Sequence, residues 1–120
     1  MKGILILAHG SRRNKTVESM NDMMNMIKER NKDVAIENAF MELASPLLAE
    51  GLNNLVAKGI NDIVIVPYFL FEGVHIKSDI PQEIAEYIKQ NPTVNVTLGS
   101  TLGTDPRLAD IITERIKAVL

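Results

Sequence analysis

The 120 residues include 46% hydrophobic and 23% charged side chains, carry a formal charge of -2 and contain no cysteine. That length suits one domain with a real core, while the lack of cysteine excludes disulfides, zinc–thiolate sites and thiol nucleophiles together. The mildly acidic balance speaks against a nucleic-acid partner, and the longest apolar run, Ile63 to Phe71, is broken by Pro67 and too short to cross a bilayer.

Lys2 to Ala8 (K-G-I-L-I-L-A) is a nearly unbroken apolar run closed by Gly10, the pattern of a strand buried on both faces. From Asn14 to Arg30 the residues Val17, Met20, Met24 and Ile27 recur at spacings of three and four, which predicts an amphipathic helix. Val34 to Met41 reads as a second strand, Pro46 to Lys58 as a helix ended by Gly59, and Asp62 to Tyr68 as the most β-branched strand. Ile80 to Gln90 is predicted to be a helix with Pro81 in its first turn, and Val94 to Leu98 a fourth strand. Asp105 caps a last helix that has Pro106 in its first turn and runs to the terminus. Strands alternating with helices predict an α/β fold: a single domain over 1–120 built on a four-stranded, parallel, doubly wound, flavodoxin-like sheet in the order 2-1-3-4. Ligands of such sheets bind beyond the carboxyl ends of the strands where the order switches, here between strands 1 and 3. The start, Met1-Lys2-Gly3 and a short apolar run, lacks a signal peptide's cleavage region, so a cytoplasmic location is expected.

The two histidines fall at that crevice, His9 directly after the first strand and His75 in the loop after the third, with Glu42 at the end of the adjacent second strand. Imidazole and carboxylate together suit borderline divalent ions such as cobalt, nickel, iron and zinc. A lone loop histidine is more often a cap or a solvated group, and Glu42 has the alternative of a solvated carboxylate before a turn; two histidines at one sheet edge favour a shared site. In His9-Gly10-Ser11-Arg12-Arg13, backbone amides and guanidinium groups at a helix start attract carboxylates. No dinucleotide or phosphate-loop glycine motif and no G-x-S-x-G elbow occurs, so nucleotide binding and serine hydrolysis lack support, and Ser11 beside His9 is a weak hint of a nucleophile. Met20, Met23, Met24 and Met26 crowd one helix; as pliable packing residues they suit a core, a flat apolar ligand or a partner subunit better than soft-metal ligation. Phe71 is a candidate pocket wall.

Four blocks in order, H-G-S-R at His9 to Arg12, Phe40-Met41-Glu42 with Pro46 following, P-Y-F-L-F-E-G-V-H-I-K-S-D-I-P from Pro67 to Pro81, and L-G-T-D-P-R-L from Leu102 to Leu108, span essentially the whole chain. Together they resemble the type II tetrapyrrole chelatases, the short-form sirohydrochlorin cobaltochelatases above all. The resemblance implies insertion of a divalent metal ion, cobalt first and nickel or iron as alternatives, into sirohydrochlorin with no organic cofactor. It implies His9 and His75 as metal ligands and Glu42 as their helper. It also implies a homodimer with the macrocycle between subunits, since double-length members carry two such halves. Nickel-inserting relatives often carry a histidine-rich insertion, and none is present. Ser11, Arg12, Arg13 and Lys77 are candidate contacts for the substrate's carboxylates, with no membrane or nucleic-acid partner expected. A non-catalytic metal or tetrapyrrole carrier and a regulatory domain with incidental histidines are the competing classes.

Overall fold

A computed structural model describes residues 1–73 and 75–120, and the side chains of residues 75 and 76 lie outside the described set. The element order is β1 (Lys2–Ala8), α1 (Asn14–Arg30), β2 (Ala35–Phe40), α2 (Leu48–Val56), β3 (Asp62–Pro67), a π-helical turn (His75–Asp79), α3 (Ile80–Gln90), β4 (Asn95–Leu98) and α4 (Pro106–Val119). The strands form one parallel sheet in the order β2-β1-β3-β4, as the alternation of elements predicts. β1 lies centrally, in register with β2 from Gly3 opposite Ala35 and with β3 from Lys2 opposite Asp62. This explains its unbroken apolar run: Leu5 and Leu7 face one layer while Ile6 faces the other.

The two layers are unequal. Leu5, Leu7, Ile63, Ile65 and Val96 pack beneath α2 and α3 with Leu52, Leu55, Ile80 and Ile84 in the larger core, and Ile6, Ile36 and Phe40 pack with Met20 and Met24 of α1 in the smaller. Those two methionines are core residues, whereas Met26 is exposed.

β2, β3 and β4 are each shorter by one or two residues than the sequence pattern puts them, and α2 and the segment at His75 differ further. α2 begins at Leu48 rather than Pro46, because Leu47 is still extended and the Glu50 carboxylate accepts a hydrogen bond from the Leu47 N–H at 3.0 Å, which sets the helix start there. It also stops at Val56, ahead of a turn through Gly59, whose φ is +83°. His75 does not lie in a plain loop: it opens the π-helical turn that runs into α3, and such turns are frequent at functional sites. α4 has the expected cap, with the Asp105 carboxylate accepting from the Arg107 N–H at 2.9 Å and from its guanidinium at 2.6 Å. These contacts hold the Asp105 carboxyl far below the usual carboxylate range. No residue of α4 is buried.

Candidate functional site

His9 leaves the carboxyl end of β1, and the local backbone fixes where it goes. The Met41 and Glu42 N–H groups donate to the Ala8 and His9 carbonyls at 2.9 and 3.2 Å, extending the β1–β2 pairing one step past the sheet. Gly10 follows with φ +99°, and a side chain there would collide with the Glu42 carbonyl oxygen. Glycine at this position is what allows His9 and Glu42 to sit side by side. Leu43 then turns the chain away with φ 67°, a left-handed conformation unfavourable for leucine.

The His9 ring stacks on Phe69, centroids 4.1 Å apart and planes inclined by 20°. Phe69 is only 5% exposed, so it is a firm platform. Its own segment is anchored: the Phe69 and Leu70 carbonyls accept from the Leu102 and Gly103 N–H groups at 2.9 and 2.8 Å. The Leu102-Gly103 block thus holds the loop after β3, and through Phe69 it orients the imidazole.

A cleft of about 490 Å³ opens here, lined by His9, Met41, Glu42, Asp79, Gln82, Glu83 and Glu86. His9 and Glu42 therefore come together as the sequence predicts. The His75 side chain lies outside the described residues, while its backbone begins the turn that delivers Asp79 to the same cleft. Ser11, Arg12, Phe71 and Lys77 do not line it. The Ser11 hydroxyl accepts a hydrogen bond from the Arg13 N–H at 3.1 Å and shapes the entry to α1. Arg12 and Lys77 are exposed, as is Phe71 at 75%. Among the described residues, no three His, Asp or Glu side chains are grouped to hold a metal ion.

The acidic wall of α3 was not singled out from the sequence. Asp79, Glu83 and Glu86 follow one another at spacings of four and three, the signature of one helix face, while Ile80, Ile84 and Tyr87 form the buried face. Tyr87 fixes the helix by donating its hydroxyl to Asn53 Oδ1 at 2.6 Å. Among the described residues the cleft consequently gathers four carboxylates and no lysine or arginine. Partial burial, with the Asp79 charge second, raises the Glu83 carboxyl above its ordinary value. Such a wall attracts a divalent cation and offers acceptors for protons.

The model of the CbiX family matches residues 3–119. A sirohydrochlorin ferrochelatase from Priestia megaterium is 37% identical over 97% of this chain and 44% of its own length. A sirohydrochlorin cobaltochelatase from Methanococcoides burtonii is 35% identical over 98% of this chain and 96% of its own length. Among solved structures, the sirohydrochlorin chelatase SirB from Bacillus subtilis subspecies spizizenii in complex with cobalt superposes with a TM-score of 0.91 at 29% identity, over 98% of this chain and 50% of that one. The chain thus spans about half the length of the ferrochelatase and of SirB, and nearly all of the cobaltochelatase. Among the described residues no helix is long and apolar enough to cross a membrane.

Proposed function

This chain belongs to the CbiX family, and from that premise we propose that it inserts a divalent metal ion, cobalt, into sirohydrochlorin. The observation that carries this reading is the pairing of a ring-stacked imidazole, His9, with Glu42 in one acidic cleft at the carboxyl edge of the sheet. Insertion exchanges two pyrrole N–H protons for the incoming ion, so the site must present the cation and accept protons on the same side of the ring. His9 and His75 hold the ion with few ligands and open positions, which allows it to be handed over. Neutral imidazole and the Glu42 carboxylate take up the protons. Asp79, Glu83 and Glu86 draw the cation toward the cleft and, being anionic, turn the substrate's own carboxylates outward. The exposed Arg12 and Lys77 then meet those carboxylates, Ser11 shapes the entry to α1, and Phe71 offers an apolar surface for the macrocycle.

The cleft is one-sided, and one small domain cannot enclose a macrocycle. Two copies facing each other across the substrate supply the missing wall. Cobalt is favoured by the cobaltochelatase relative matched along 96% of its length; the ferrochelatase relative supports iron as the second reading. The test is the initial rate of absorbance change of sirohydrochlorin with cobalt(II), iron(II) and nickel(II) in turn. Turnover fastest with cobalt is expected. Saturable binding without turnover for every ion would make the protein a carrier and overturn the reading.

A further inference from the structure

Consecutive residues of a strand point to opposite faces of the sheet, and at the carboxyl edge this divides the chain's ends between two sides. Phe69 belongs to the larger core under α3, Met41 packs against that core, and His9 stacks on Phe69. One residue earlier on β2 and β1, Phe40 and Ala8 turn the other way and pack with Met20 of α1 in the smaller core. A second hollow, of about 310 Å³, opens on this α1 side. Buried Met20 and Phe40 form its floor with half-buried Ala8, and Tyr68, the residue before Phe69, lines it at 37% exposure. Lys15, Thr16 and Ser19 complete it; their spacing of one and three sets them on one face of the first turns of α1.

The two hollows carry opposite chemistry. The cleft beside α3 is walled by the carboxylates of Glu42, Asp79, Glu83 and Glu86, whereas the hollow beside α1 holds the Lys15 ammonium, three hydroxyls and, among the described residues, no carboxylate. Among the described residues the side chains of Lys15, Thr16, Ser19 and Tyr68 make no hydrogen bond or ion pair within the chain, so their bonding capacity is open to a ligand. An ammonium and hydroxyls above an apolar floor suit a carboxylate carried on an apolar ring. Sirohydrochlorin is such a molecule, and its acid arms are repelled by the cleft beside α3. We propose that the hollow beside α1 is a carboxylate subsite for the macrocycle: one acid arm bonds to Lys15, Ser19 and Tyr68, and the pyrrole edge that carries it lies on Ala8 and Phe40. Because Ala8 and His9 are adjacent, a ring seated there extends over the end of β1 to the imidazole. The ion then reaches His9 along α3 and the macrocycle along α1, from opposite faces of the sheet. The subsite rests on the sirohydrochlorin reading above and adds to it the seat of the substrate.

The test is the binding of metal-free sirohydrochlorin, followed by its own fluorescence, which needs no turnover. Lys15→Gln removes the cation and should raise Kd about tenfold, with KM rising alike and kcat for cobalt insertion unchanged. Ser19→Leu fills the hollow without changing the charge and should weaken binding to a similar extent. Lys28→Gln removes the same charge from the last turn of α1 and should leave Kd within about twofold of wild type. All three positions are exposed, so circular dichroism should be unchanged throughout. Equal weakening by Lys15→Gln and Lys28→Gln would show a long-range field and no seat. Wild-type affinity in Lys15→Gln or in Ser19→Leu would show that no acid arm enters the hollow. Each of these outcomes overturns the subsite and leaves metal insertion standing. A wild type that binds no sirohydrochlorin overturns the subsite together with the reading it rests on.

Discussion

Phe69→Leu separates the platform beneath His9 from the rest of the core. The ring is buried at 5% exposure and stacked 4.1 Å from the imidazole; leucine keeps most of the volume but loses the flat face. The stack contributes about 1 kcal/mol and the poorer fit about 1 kcal/mol more. With an unfolding entropy of roughly 2.1 cal/mol/K per residue, a loss of about 2 kcal/mol lowers Tm by about 8 °C. The variant stays folded at 25 °C, so its rate can be read directly. A displacement of the imidazole by about 1 Å costs up to about a hundredfold in rate, and a fall of ten- to a hundredfold in kcat for cobalt insertion is expected. Leu52→Ala is the control: Leu52 is fully buried in the same core, its loss costs about 2–5 kcal/mol, and it belongs to none of the cleft walls. If Phe69→Leu lowers Tm as stated yet metalates within about twofold of wild type, or if Leu52→Ala slows the reaction equally, Phe69 does not position His9.

His9→Ala and His75→Ala should each abolish most cobalt insertion, and the double variant should be scarcely slower than either single one, as for residues acting on one ion; defects that multiply would show independent roles. Glu42→Gln keeps the shape and removes the charge, so steady-state rates should drop while circular dichroism is unchanged; wild-type kinetics would make Glu42 a solvated turn residue. For Glu83 the folded carboxyl titrates above its ordinary 4.5, so its contribution to stability is fully present below about pH 4.5 and is lost as pH rises through the raised folded value. Thermal melts of Glu83→Gln should therefore show a gain of a few tenths of a kcal/mol at pH 7, small because solvent screens the group, and none at pH 4. A loss of stability at pH 7 instead would reverse the assigned direction.

Period and punctuation made the fold legible. The two-sided apolar run of β1, the three-and-four spacing of α1 and the Asp105-Pro106 start of α4 all appear where the pattern puts them. The start of α2 was hidden because proline at a helix start is ordinary, whereas here Pro46 precedes an extended Leu47 whose N–H donates to Glu50. His9 and Glu42 were legible from strand order alone, because parallel neighbours end at one edge. The stack of His9 on Phe69 was not, since it depends on how the loop after β3 folds back under backbone bonds from Leu102 and Gly103. Nor was the bareness of α4: an amphipathic stripe looks the same whether or not its helix lies on a sheet.

Between β4 and α4 the chain is pinned three times, Gly99 to the Ile65 carbonyl at 2.8 Å and Leu102 and Gly103 to Phe69 and Leu70. Its tolerance of inserted length is therefore uneven. An extra residue between Gly99 and Leu102 must bulge outward or break one of those bonds, and in breaking it frees the ring under His9. An extra residue between Gly103 and the cap at Asp105 disturbs no such bond and only lengthens the tether of α4. One short connection thus divides into a stretch whose length the chemistry dictates and a stretch whose length sets how far the last helix can reach.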